Sequence, residues 1–231
     1  MSKTLPIDAS TDEKLVGNLG HYLARLKKAG FRIVDGFIVP VNTDITDGLS
    51  NEILRRFDAL NTPSVTLRAS PLETNIFSSE TIRGVKRDVL ISTLDYLQNN
   101  SIRRGHKIAV VIQKDINAEF AGTIHAYNPV TMDRDEILIE ANLWMNDTVL
   151  SGESESDMIL IRKSNGAMML ESEEEGEICL TPSQIQELYT LIRKIEKFLG
   201  EPVTADWAYH HGVLYILRVR PFTEKTFKRY Q

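Results

Sequence analysis

The sequence predicts an α+β protein of two closely packed lobes, the C-terminal one antiparallel and rich in β structure. Three observations carry this. The N-terminal part alternates segments of helical apolar spacing with short β runs. From Gly105 onward the pattern changes to alternating runs separated by turn residues. A strongly capped helix then leads into a final hairpin. Mixed elements first and gathered antiparallel strands afterwards are the α+β order. The 231 residues are read as one domain with approximate lobes 1–105 and 106–231, long enough for a real core.

Ser10 to Glu13 has the form of a capping box, with Ser10 as N-cap. Leu15, Val16, Leu19, Tyr22, Leu23 and Leu26 follow at helical spacing, and Gly30 stops the helix. Phe31 to Pro40 reads as a buried strand interrupted at Asp35-Gly36, and Asn51 to Leu60 as a second helix. Ser64 to Ala69 is a short β run ending on Arg68, either an edge charge or an anion clamp, since guanidinium matches phosphate geometry. Thr81 to Asn99 reads as the next helix, striped by Val85, Val89, Leu90, Leu94 and Leu97. Lys107 to Ile116 and Glu119 to Asn128 then read as a hairpin turning at Asn117-Ala118. Glu136 to Leu143 adds a strand, and a hairpin turns at Asn165-Gly166. The acidic run Glu171 to Glu177 reads as a solvated loop. Thr181-Pro-Ser-Gln184 is the clearest local signal: threonine caps, proline takes the first helical position and glutamine completes the box. Leu180 and Ile185 are placed for a hydrophobic staple, and Gly200 ends that helix.

The terminal hairpin runs from Pro202 to Pro221. With His210, His211 and Gly212 as its loop, Tyr209 faces Val213, Trp207 faces Tyr215, Ala205 faces Leu217 and Val203 faces Val219, an apolar face throughout. The other face carries Thr204, Asp206, Ala208, Leu214, Ile216, Arg218 and Arg220, which is either a polar site or a solvated sheet face.

A formal net charge of −5 argues against nonspecific nucleic-acid or anionic-membrane binding. No apolar run approaches the roughly 18 residues of a membrane-spanning helix. Cys179 is the only cysteine, so an internal disulfide and a cysteine-based metal site are both excluded. With no signal-peptide core at the N-terminus, the cytoplasm is the default location. His210-His211 reads as solvent-facing rather than metal-ligating, with no third ligand at matching spacing.

Segments in one order along nearly the whole chain resemble the N-terminal nucleotide-binding domain of the pyruvate phosphate dikinase, phosphoenolpyruvate synthase and rifampicin phosphotransferase family. Tyr127 to Ala141 with Val149 to Gly152 is similar to the family's N-P-V-T-G-D-x-x-x-I-x-I-E-A…V-V-S-G stretch, which includes Glu140. Val110-Val-Ile-Gln113 with Ala121-Gly122, Val65 to Ser70, Gly36 to Val39 and Leu214 to Pro221 resemble further family segments. The resemblance implies an ATP-grasp-like fold holding Mg-ATP between two lobes and passing phosphate to a histidine on a separate swivelling domain. It also implies that this chain, shorter than the family's domain and without the phosphohistidine and pyruvate units, supplies at most the ATP half-reaction. Its expected partner is a second chain carrying the histidine, or an active relative.

Carried over by position, Arg68 falls on a phosphate-binding arginine, Gln113 on a nucleotide-contacting glutamine and Arg220 on the arginine of the final strand. Glu140, Asp206 and Arg218 complete the expected nucleotide site, with Asp206 the one candidate metal ligand. Other positions depart. Leu19 stands where the family has a phosphate-binding lysine, Thr204 and Asp206 where it has an acidic pair, and Arg218 where it has glutamine. Asn75 to Thr81 replaces a glycine loop, and Trp144 to Asp147 replaces G-L-G-E. Fewer anionic oxygens disfavour Mg²⁺. Arg218 either pairs with Asp206 or binds an anion without metal. Two functions remain open: an ATP-dependent phosphotransfer component, or a degenerate non-catalytic module binding an anion or a partner.

Overall fold

A computed structural model describes residues 3–72, 80–143, 157–171 and 179–222. The segments Asn75 to Ser79, Trp144 to Asp147, Val149 to Gly152 and most of the acidic run lie outside the described residues. The chain divides into two compact units, Met1–Ile116 and Asn117–Gln231.

The first unit holds a five-stranded antiparallel sheet in the order β1-β2-β5-β3-β4. Its strands are β1 (Leu5–Pro6), β2 (Gly36–Val39), β3 (Val65–Pro71), β4 (Thr81–Val85) and β5 (Ile108–Lys114). Helices α2 (Asp47–Leu60) and α3 (Leu90–Arg103) close one core with Phe37, Val39, Val65, Leu67, Val110 and Ile112. Alternation then puts Thr66, Arg68, Ser70, Val111 and Gln113 on the opposite sheet face. Helix α1 (Glu13–Lys28) is anchored there, because Ser70 Oγ donates to Val16 O at 2.8 Å and accepts from Gly20 N at 3.0 Å. Gly17 makes this approach possible: its φ is 68°, and a Cβ there would lie 2.0 Å from Ser70 O.

The second unit holds a six-stranded antiparallel sheet in the order β11-β10-β6-β7-β8-β9. The strands are β6 (Phe120–His125), β7 (Glu136–Leu143), β8 (Asp157–Arg162), β9 (Met168–Glu171), β10 (Val203–His210) and β11 (Val213–Pro221). Helix α4 (Pro182–Leu199) has the expected capping box, Pro182 and Gly200 cap, and buries Leu180, Ile185, Leu188, Ile192 and Ile195. Tyr209 joins it to the sheet, its hydroxyl donating to Glu187 Oε2 at 2.7 Å. The sheet face bearing Tyr209, Trp207, Ala205, Ile124, Ile139 and Ile159 is therefore the helix-covered, apolar one.

Four expectations are corrected. The cap of α1 is Asp12, accepting from Lys14 N, while Ser10 Oγ accepts from Asp12 N. Thr81–Val85 is strand β4 rather than helix: Gly84 has φ 66° and its N–H donates to Asp115 Oδ2 at 3.0 Å, so helical continuation is blocked. The segments 107–116 and 119–128 do not pair as a hairpin; β5 lies between β2 and β3, and β6 lies between β10 and β7.

The fourth concerns the terminal hairpin. His211 and Gly212 alone make the turn, both at positive φ as a two-residue hairpin loop requires, and His210 already pairs with Val213. A bulge at Leu217 shifts the register one further residue and restores the facing of the side chains beyond it, so that Ala205 pairs with Val219, Asp206 with Arg218 and Thr204 with Arg220. The polar face therefore carries Val213 and Tyr215 in place of Leu214 and Ile216, and Arg218 and Arg220 keep their side through the bulge.

Candidate functional site

Strand pairing in the second unit assembles a row of polar side chains on the face away from α4. Arg218 on β11 lies beside Asp206 on β10, then Thr123 on β6, then Glu140 on β7. One step along, Arg220 pairs with Thr204 and Thr204 with His125. Arg218 Nε donates to Asp206 Oδ2 at 2.7 Å, and Arg220 Nη2 lies 3.7 Å from Asp206 Oδ1. Thr123 Oγ1 donates to Asp206 Oδ1 at 3.5 Å. His125 and Thr204 are buried, with Nδ1 and Oγ1 3.0 Å apart, and His125 Nε2 lies 3.7 Å from Glu140 Oε2. Phe222 packs edge-on to His125 and against Tyr127, covering one end of the row.

The physical reason for this row is the alternation of β structure, which stacks residues of like parity across neighbouring strands. Gly122 permits the close packing beneath it: a Cβ there would lie 1.8 Å from Glu140 O and 2.9 Å from the Trp207 ring. Charge-assisted pairing holds Arg218 and Asp206 in fixed geometry on a partly exposed face. Arg218 is thus ion-paired with Asp206, one of the two roles the sequence left open for it.

Arg68 and Gln113 lie in the first unit, on the sheet face that anchors α1. Both are buried, with Arg68 Nε donating to Gln113 Oε1 at 3.2 Å and Gln113 Nε2 donating to Val34 O at 3.5 Å. Arg68 is not a surface charge. Leu19 is buried in α1, so that position carries packing rather than a cation. Of the six residues expected to bind nucleotide, the structure thus gathers Glu140, Asp206, Arg218 and Arg220 on one face and joins Arg68 to Gln113 on another. Thr123, His125 and Tyr215 belong to the same face as the four and were not singled out by sequence. His210 Nδ1 donates to Asn117 O at 2.6 Å, and His211 is exposed at the turn.

The described donor set does not fit a divalent metal. Among the described residues, no three His, Cys, Asp or Glu side chains converge on a point. Asp206 has guanidinium groups at both oxygens, and Glu140 stands on the second strand away, the two backbones roughly 10 Å apart by strand spacing. Hard cations require several anionic or carbonyl oxygens in one shell.

The pyruvate phosphate dikinase AMP/ATP-binding domain matches residues 90–231, well over half of the chain and all of this polar row. The chain belongs to that family. Within it, a probable phosphoenolpyruvate synthase of Methanocaldococcus jannaschii is 31% identical over 139 residues, covering 50% of this chain and 12% of the relative. An uncharacterized phosphotransferase, YvkC, of Bacillus subtilis is 26% identical over an alignment covering 93% of this chain and 34% of its own length. The chain therefore spans about a third or less of these relatives. In fold it is similar to a D-alanine–D-alanine ligase from Bacillus anthracis complexed with ATP, at TM-score 0.53 and 14% identity, over 88% of this chain and 54% of the ligase. It is also similar to the biotin carboxylase domain of a Hydrogenobacter thermophilus 2-oxoglutarate carboxylase in complex with MgADP, at TM-score 0.51 and 16% identity, over 90% of this chain and 40% of that one. The fold of this dikinase-family domain is ATP-grasp-like, and its place in the family makes it a nucleotide-binding domain. No described helix is long and apolar enough to cross a membrane.

Proposed function

We propose that the polar row of the second unit binds the phosphate chain of an adenine nucleotide. In this reading the domain serves the ATP half of a phosphoryl transfer whose acceptor histidine lies outside this domain. The observation that carries it is the pair Arg218 and Arg220, set side by side on one sheet face within the family-matched residues. Guanidinium groups held by a carboxylate are preorganised, and a fixed cation loses little entropy when it receives a phosphate. Arg220, the more weakly held of the two, is assigned to the phosphate; Glu140 and Thr204 are assigned to orientation. In the first unit, Arg68 and Gln113 are assigned to the nucleotide as well. The names of the relatives, phosphoenolpyruvate synthase and phosphotransferase, support phosphoryl transfer as the reaction class.

A second reading is favoured by one specific observation. Asp206 is tied to Arg218, which suits a module that binds an anion, or an active relative, without transferring phosphate.

The test is a thermal-shift titration of the whole chain with ATP, ADP and AMP. Stabilisation by ATP that falls at least tenfold in apparent affinity in Arg220→Ala supports the reading. No shift with any nucleotide sinks it. Arg68→Ala in the same titration measures the part played by the first unit. Incubation with γ-labelled ATP and a histidine-bearing carrier protein separates the two readings, since only the first predicts labelled carrier.

A further inference from the structure

We infer that this face takes its polyphosphate without a divalent metal, with Arg218 as the fixed positive charge beside the phosphates. The inference rests on the nucleotide reading above and adds how the charge is met. Asp206 has Arg218 Nε 2.7 Å from one carboxylate oxygen, while its other oxygen faces Arg220 Nη2 at 3.7 Å and Thr123 Oγ1 at 3.5 Å. A metal ion at Asp206 would have to displace a charge-assisted ion pair and then sit beside two guanidinium groups, whose charge repels it. Glu140, the next carboxylate along the row, has His125 Nε2 3.7 Å away and stands on the second strand from Asp206. The two residues stand on strands with that of Thr123 between them, and no described trio of acidic, histidine or cysteine side chains offers a metal a place.

At the β10–β11 end the balance of formal charge is positive, two arginines against one aspartate. That end matches a phosphate chain directly, as arginine forks match phosphate oxygens. A metal-coated nucleotide presents less negative charge and suits this end less well. The side chains are also pinned in place, Arg218 and Arg220 being about three-quarters buried.

The experiment is isothermal titration calorimetry of the whole chain with ATP in EDTA, with ATP in excess MgCl₂, with tripolyphosphate in EDTA, and with MgCl₂ alone. The expected result is ATP binding in EDTA that equals or exceeds binding in Mg²⁺, tripolyphosphate binding in EDTA, and no heat from MgCl₂. Arg218→Gln is expected to weaken metal-free ATP binding at least tenfold, and Arg218→Lys to restore most of it. Circular dichroism melts of both variants establish that they are folded. ATP binding tighter in Mg²⁺ than in EDTA overturns the inference and leaves the proposed function standing. Binding in neither condition overturns both.

Discussion

Cys179 precedes α4, and its backbone N–H donates to Asp157 Oδ2 at 2.7 Å. Burial, and then the neighbouring Asp157 carboxylate, push its thiol up to about 12. The thiolate is the nucleophile, so the native cysteine is predicted to be slow toward thiol reagents at pH 8. Its reaction with a disulfide reagent is expected to run at least about a hundredfold slower than in the urea-unfolded chain, read as the two rate constants at the same pH. Comparable rates would show that the thiol is not held protonated. The sequence identified this residue as a lone cysteine but gave no sign of Asp157 beside it. The same limit applied at the site. Arg218, Asp206 and Arg220 share one hairpin, and their company was legible from alternation alone. His125 and Thr123 were not, because they reach Asp206 and Thr204 through the pairing of β6 with β10, which joins segments far apart in sequence.

At the scale of the element, strong local chemistry was legible and weak local chemistry was not. The box from Thr181 to Gln184 predicted α4 because threonine, proline and glutamine each act within one turn. The stretch Thr81–Val85 misled because Val85 and Val89 are spaced as in a helix, yet Gly84 at positive φ and its bond to Asp115 turn the chain into a strand. The terminal hairpin hid a bulge, which no alternation count reveals. Its consequence falls on the polar row, since the bulge sets Arg218 opposite Asp206. Gly122 matters in the same way from the neighbouring strand, where Glu140 O and the Trp207 ring occupy the space of a side chain. Gly122→Ala is predicted to destabilise the chain by on the order of 3 kcal/mol through forced displacement of β7 from β6, measured by urea unfolding. The same variant should weaken ATP binding, because Glu140 and Thr123 move with those strands. A variant of unchanged stability would show that the sheet absorbs the methyl group.

Across the molecule, two sheets built from sequence-remote strands replace the local hairpin expected between residues 107 and 128. Both segments alternate and a turn lies between them, so local pattern alone favours pairing; burial of β5 between β2 and β3 outweighs it. The long-range packing also sets the behaviour of the folded chain in alkali. Tyr209 is raised above its ordinary value by burial and then by Glu187, and Cys179 is raised to about 12 by burial and then by Asp157. Each group is neutral when protonated, and the folded chain holds its proton more tightly than the unfolded chain does. Their contribution to stability is therefore complete below the unfolded values, roughly 9 for the thiol and 10 for the phenol, and is lost as pH rises toward the folded ones. The melting temperature is predicted to fall progressively above about pH 9 on this account. Tyr209→Phe should melt lower than the parent at pH 8, because the bond to Glu187 is gone. Above about pH 10 it should lose less with each further pH step, because the phenol no longer titrates. Melts recorded from pH 8 to 11 on parent, Tyr209→Phe and Cys179→Ala separate the two groups. Parallel curves for all three would show that neither proton is linked to folding.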